Sequence, residues 1–244
     1  MLTNTTIEIV DRYWSSFLGC PQEALYTQQT LVVPHADLGD YQGLFLFLRK
    51  ELLVVSVPAR LLGALRLQAV QWSPTDVLPE AHLRHLVGET VERVVGPAFV
   101  GYTDRAVFQP VFTSGTRVLG AQDVPAFAAL QAACSVLEWK HGGSQLGEQS
   151  VVGVDAGGHL AAVAGYTVWG GVIAHMAVIT HPQHRGHGYG RAVVSRLTEE
   201  ALHQGLVPQY RTLEANTPAM AIAHTLGFMH YATTVAVRLK PDTT

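Results

Sequence analysis

Charge is what this chain has least of. Only 14% of its 244 residues are Asp, Glu, Lys or Arg, against about 25% in typical soluble domains. Of the basic side chains just three, Lys50, Lys140 and Lys240, are lysines, and the formal net charge is −3. No basic stripe exists, which argues against broad electrostatic binding to nucleic acid. Cysteine is scarce as well: Cys20 and Cys134 only. One follows a helix end and the other sits on an apolar helical stripe. Such free thiols suit a reducing, cytoplasmic setting and exclude a disulfide-stapled scaffold. The first ten residues hold a single charged side chain, Glu8, and lack the basic region and apolar run of a secretion signal.

Apolar residues are plentiful, at 48%, so disorder is excluded. The length suits one large domain or two small ones. Residues 160–180 carry no Asp, Glu, Lys or Arg, and about 20 apolar residues can span a bilayer. Gly165, Gly170, Gly171, the β-branched content and Thr167 favour strands joined by a Gly-Gly turn instead, so no membrane partner is expected.

Periodicity divides the chain. Val10, Tyr13, Trp14, Phe17 and Leu18 form a helical stripe that stops at Gly19. Residues 31–33 and 44–57 read as β-runs closed by Pro34 and Pro58, with a hairpin turn at Arg49, Lys50 and Glu51. A helix is expected from near Pro79, with Leu83, Leu86, Val87, Val91 and Val94 on one face and Gly96-Pro97 ending it. The pattern fades between Thr103 and Thr116, which places a boundary there: an α+β domain over residues 1–108 and a second over 109–244. In the second, Asp123 is expected to cap a helix with Phe127, Leu130, Cys134 and Leu137 inward. Residues 151–154 and 160–169 read as a hairpin, and residues 172–180 as a third strand. A helix starts near Gly190 and ends at Gly205, followed by a strand over 207–214. Asn216-Thr217-Pro218 opens a last helix that stops at Gly227, before a final strand over 228–239.

The chemistry concentrates in Arg185-Gly186-His187-Gly188-Tyr189-Gly190, which a strand enters and a helix leaves. Glycines let successive amides converge, and a helix N-terminus adds partial positive charge, which together suit a pyrophosphate. The alternative is a tight turn that needs glycine for geometry alone. No Gly-Lys-Ser/Thr follows, so it is not a Walker loop, nor does it fit the dinucleotide fingerprint. His181, His184 and His187, with His175 upstream, invite a metal reading, but they straddle this Gly-rich turn and no metal site is expected. Trp14, Trp72, Trp139 and Trp169 read as core or pocket wall.

Arg-Gly-x-Gly-x-Gly behind an antiparallel meander, then helix, strand and Asn-x-x-Ala ending in Leu-Gly-Phe, resembles the GNAT acyltransferase superfamily over roughly residues 116–239. The resemblance implies an α+β fold with a mixed, mostly antiparallel sheet flanked by helices, preceded by a smaller α+β domain. It also implies acetyl transfer from acetyl-CoA to a small-molecule or peptide amine. By position, Gly186, His187, Gly188, Tyr189, Gly190 and Arg191, with Arg185 at the loop's start, would hold the CoA pyrophosphate. Val178, Ile179 and Thr180 would pair with the pantetheine arm in a gap where two strands splay. A backbone amide would stabilise the oxyanion. Asn216 would contact CoA or simply cap its helix. Many members carry a tyrosine seven residues after that asparagine as an acid for the thiolate. Ala223 stands here, with His224 about 100° around the helix, which puts any acid in doubt. Glu138 and His141 are the candidate bases, with an ordinary helix-end cluster as the alternative reading, and Glu214 is a third option. The rival to an enzyme is a non-catalytic CoA-binding or sensor protein. Residues 1–108 loosely parallel half of such a module, as a degenerate second copy or as an unrelated cap. The low charge predicts a large interdomain or homodimer interface.

Overall fold

Residues 44–48 and 52–57 are apolar at nearly every position, a pattern strands adopt when both faces of their sheet are covered. In a computed structural model, which describes residues 1–69, 72, 80–87, 91–147 and 149–240, they are two paired central strands. In chain order the elements are α1 (Asn4–Leu18), β1 (Thr30–Pro34), β2 (Leu44–Arg49), β3 (Leu52–Val57), α2 (Ala59–Ala69), α3 (Glu80–Val87), β4 (Val91–Tyr102) and β5 (Thr116–Val118). They continue with α4 (Val124–Ala133), α5 (Val136–Gly142), β6 (Val151–Ala156), β7 (His159–Trp169), β8 (Ile173–Thr180), α6 (Tyr189–His203), β9 (Val207–Leu213), α7 (Thr217–Thr225) and β10 (Met229–Leu239).

The chain forms two compact units. One comprises Met1–Thr6, Gly101–Arg211 and Pro218–Met229; the other comprises Ile7–Val100, Thr212–Thr217 and His230–Thr244. A single break near residue 108 was expected from the sequence. The units are interleaved instead, because β10 returns to pair antiparallel with β2, Val235 opposite Leu46.

In the N-terminal unit the strands run in the order β1-β3-β2-β10-β4, with β1 and β3 parallel. Alternation sends Leu44 and Leu46 into a core with Val55, Leu65, Leu83, Val235 and Val237. Phe45 and Phe47 go to the opposite face, where Trp14 of α1 stacks on Phe45 at a ring distance of 6.4 Å and packs tilted against Phe47 at 4.7 Å. Arg49 lies over the rings of Tyr26 and Tyr231 and pairs with buried Asp11 at 2.9 Å. The hydroxyls of Tyr26 and Tyr231 donate to the same carboxylate.

Two differences from expectation fall in this unit. The expected long helix stops at Val87, and Val91 and Val94 belong to β4. A run of Val91, Val94 and Val95 ahead of Gly96-Pro97 suits a strand better than a helix, because β-branched side chains lose rotamers against a helical turn. The expected start at Pro79 lies outside the described residues. Helix α2 was not anticipated; Pro58 closes β3 and also opens α2, with Leu61 N–H bonded to its carbonyl.

In the other unit the order is β9-β8-β7-β6-β5, antiparallel throughout except for the β8–β9 pair. The charge-free stretch 160–180 is β7, a Gly170-Gly171 turn with φ of 55° and 72°, and β8. Among the described residues no helix is long and apolar enough to cross a membrane. Phe127, Leu130, Val163 and Ile179 join α4 to one sheet face, with Trp139 of α5 packed against them. Two expectations fail here. Asp123 does not cap α4 through its side chain; it accepts from Gly120 N–H at 2.8 Å and pairs with Arg117. Leu137 is exposed, because the helix breaks at Cys134 and restarts as α5 with Ser135 as its cap.

Candidate functional site

Strand β8 pairs with β7 along its whole length, from Ile173–Trp169 to Thr180–Ala162. Its pairing with β9 stops after Met176–Tyr210. Residues 177–180, which include Val178, Ile179 and Thr180, therefore present a strand edge with no ladder partner among the described residues. That edge offers N–H and C=O groups to any extended ligand, as an exposed edge does.

The chain leaves this edge through a short 3₁₀ turn, Pro182–His184, capped by the His181 ring, and enters the Gly-rich loop. Gly188 has φ of 83°, a left-handed conformation that favours glycine. The first helical bond of α6 runs from Ala192 N–H to the Gly188 carbonyl, at 3.1 Å. The amides of Tyr189, Gly190 and Arg191 precede it and have no intrahelical partner, and they lie where the helix dipole is positive. The Arg191 guanidinium lies 3.5 Å from where a Cβ on Gly188 would stand. Gly190 is buried, and a Cβ there would come within 3.0 Å of Thr180 Oγ1 and 3.4 Å of Ile222 Cδ1. Glycine thus lets the α6 N-terminus seat directly against β8 and α7. The cradle and the free edge are contiguous, and both fit an elongated ligand with a pyrophosphate at one end.

Arg185 is turned away from this cradle. Its Nη2 pairs with Glu138 Oε1 at 2.7 Å and its Nε donates to the Thr180 carbonyl at 3.4 Å. It thereby fastens the loop to α5. The second carboxylate oxygen of Glu138 accepts from Ser135 N–H at 3.0 Å and from the Ser135 hydroxyl at 2.8 Å. These bonds from Ser135, then that from Arg185, hold the Glu138 carboxyl down to about 2. In this arrangement the Glu138 carboxylate, expected as a base, serves as a helix cap and as a tether for Arg185. His141 is exposed in the last turn of α5. Glu214 accepts from Thr233 in the N-terminal unit. Asn216 sends its N–H to the Leu213 carbonyl at the approach to α7. Ala223 is fully buried, while His224 faces solvent.

Helix α5 ends against β8; a Cβ on Gly142 would lie 2.5 Å from the Val178 carbonyl oxygen. The segment that follows passes over β7 and closes a cavity of about 530 Å³. Gly165 leaves room for it, since a Cβ there would strike Ser144 Oγ at 2.7 Å. Ser144, Gln145, Gln149 and Thr167 line the cavity, and Ala177, the first unpaired residue of β8, forms part of its wall. Nothing in this segment stood out in the sequence. Its polar residues become a wall through the fold alone.

On the same strand His175 is mostly buried, stacked on Trp169 at 3.8 Å, with Nδ1 2.7 Å from Gln209 Oε1. Gln209 in turn donates to the Tyr102 hydroxyl. Burial pushes the imidazole down to about 4, against the bond from Gln209. The rings of His181 and His184 lie 5.2 Å apart, and that of His187 stacks on Tyr189. Among the described residues no three His, Cys, Asp or Glu side chains gather as a metal site would require.

The family model "Acetyltransferase (GNAT) family" matches residues 123–228. Among solved structures, the chain is similar to a GNAT-family acetyltransferase from Novosphingobium aromaticivorans, at 28% identity and TM-score 0.48, covering 63% of this chain and 67% of that one. It is also similar to a GNAT-family acetyltransferase from Colwellia psychrerythraea, at 18% identity and TM-score 0.47, covering 67% of this chain and 63% of that one. A GCN5-related N-acetyltransferase-like protein from Streptococcus suis, at 13% identity and TM-score 0.48, is matched over 95% of this chain and 99% of its own. No curated protein matches the sequence. Over residues 123–228 the chain is thus similar to the acetyltransferases of the GNAT family.

Proposed function

We propose that the chain moves an acetyl group from acetyl-CoA to an amine by direct attack within a ternary complex. The observation that carries this reading is the parting of β8 from β9 after Met176, beside a loop that ends in the free amides of α6. CoA supplies an acyl group already activated as a thioester. The chain's own part is to hold and orient it. The amides of Gly186, His187, Gly188, Tyr189, Gly190 and Arg191 take the pyrophosphate, with the Arg191 guanidinium beside Gly188. Arg185 serves indirectly, by fixing the loop to Glu138 and Thr180. Val178, Ile179 and Thr180 align the pantetheine arm through their backbone, and an amide of this edge polarises the thioester carbonyl.

Ala223 offers no proton to the leaving group. A thiol of pKa about 8.5 departs without one, so positioning can supply most of the acceleration. A non-catalytic CoA-binding role is the second reading, favoured by buried Ala223 and by the engaged carboxylate of Glu138. Free-thiol release from acetyl-CoA with a panel of amines separates the two. Acceptor-dependent release supports transfer; tight CoA binding with no release for any acceptor supports the sensor.

A further inference from the structure

The cavity between β7 and the segment after α5 has an unusual wall for a site that handles amines. Among the described residues that line it none is charged. Its hydrogen-bonding side chains are Ser144, Gln145, Gln149 and Thr167; the Tyr166 hydroxyl is spent on Gln204, at 2.7 Å. The Ser144 hydroxyl is buried against Gly165 and has no hydrogen-bond partner among the described residues. Neither Glu138 nor His141 lines the cavity. Its volume falls within the range of about 300–1,000 Å³ usual for small-molecule sites, and Ala177 ties it to the β8 edge beside the proposed thioester position.

Resting on the transfer reading above, we infer that this cavity is the acceptor pocket and that it takes an uncharged, hydrogen-bonding molecule through a weakly basic amine, such as an α-amino amide, rather than an alkylammonium. Attack needs the nitrogen lone pair. An alkylamine of pKa about 10.4 arrives protonated at neutral pH, whereas an α-amine of about 7.7–8.0 is partly free base. The described residues of the wall hold no carboxylate to pair the ammonium or accept its proton, and burying an unpaired charge is costly. With a free amine the step balances without a base. The nitrogen bonds to the thioester carbonyl carbon, the C–S bond breaks, and the amine's own proton leaves with the thiolate as CoA thiol.

The test uses two isomeric acceptors, Nε-acetyl-lysine amide with a free α-amine and Nα-acetyl-lysine amide with a free ε-amine. Thiol release from acetyl-CoA at pH 7.5 should favour the α-amine isomer by about a hundredfold in kcat/KM, with the ratio narrowing about tenfold by pH 9 as the ε-amine deprotonates. Thr167→Asp, which adds a carboxylate to the wall, should raise the ε-amine isomer alone and leave acetyl-CoA affinity unchanged. Glu148 follows Gly147 in the chain and lies outside the described residues, and Glu148→Gln should leave the ratio as it is. Equal use of the isomers, preference for the ε-amine, or a collapse of the ratio in Glu148→Gln would overturn the inference. So would silence from both isomers while acetyl-CoA still raises the melting temperature, an outcome that spares the cofactor assignment. Absence of any acetyl-CoA binding would instead remove the transfer reading, and this inference with it.

Discussion

Glu138 and His175 are both side chains of the right type for proton transfer, and both are put to other use by their neighbours. Glu138 follows Ser135 by three residues, the spacing of a capping box, and that spacing decides its role before any substrate is considered. Its tether to Arg185 joins residues 47 apart in the chain, which no local pattern announces. His175 is kept neutral by burial between Trp169 and Gln209. Its imidazole is held at about 4, while in the unfolded chain it titrates near its ordinary value of about 6.5. Between these values the unfolded chain binds a proton that the folded chain refuses. Stability should therefore be full above pH 6.5 and decline as the pH falls toward 4, by up to about 3 kcal/mol. Urea unfolding of the wild type at pH 7 and pH 4.5 should show this loss, and His175→Gln should flatten it. An equal slope in both proteins would remove His175 as the cause.

At the level of elements, those with a clean period and a glycine or proline stop were readable: α1, the β2–β3 hairpin, β6 through β8, α6, α7 and β10. Misreadings came where two periods overlap. Leu83 through Val94 satisfies a helical stripe, yet a valine-rich strand begins at Val91. The short helix α2 behind Pro58 and the three-residue β5 carry too little pattern to stand out. The Gly-rich loop between β8 and α6 was legible as a turn because Gly186 and Gly188 take positive φ. The cavity was not, because Ser144, Gln145, Gln149 and Thr167 meet only when the segment after α5 folds over β7. Pairing partners are equally invisible to periodicity, and β10 shows the consequence. It lies between β2 and β4, adds Val235 and Val237 to the N-terminal core, and brings Tyr231 to Asp11 and Arg49. A chain ending at residue 229 should thus leave β2 with an unpaired edge and an open core. Residues 44–57 should lose their hydrogen-exchange protection in that chain. Protection equal to the full-length protein would show that β10 is dispensable.

For the whole molecule, the scarcity of charge acquires a pattern. All but three basic residues are arginines, and many of these are spent on local carboxylates: Arg49 on Asp11, Arg117 on Asp123 and Asp155, Arg185 on Glu138, Arg196 on Glu199 and Glu200. A planar fork suits such fixed pairing better than the mobile ammonium of lysine. Each unit has an apolar core of its own, and the elements proposed to hold acetyl-CoA, from β8 through the loop to α6, lie within one unit. Whether these elements bind acetyl-CoA can be read from ligand linkage. At a hundredfold excess over Kd, acetyl-CoA should raise the melting temperature by about 5–10 °C. Gly188→Glu, which puts a carboxylate where the pyrophosphate would lie, should abolish that rise. Gly188→Ala, which has the same backbone strain without the charge, should retain part of it. A wild-type melting temperature unmoved by millimolar acetyl-CoA, or an undiminished rise in Gly188→Glu, would contradict the account.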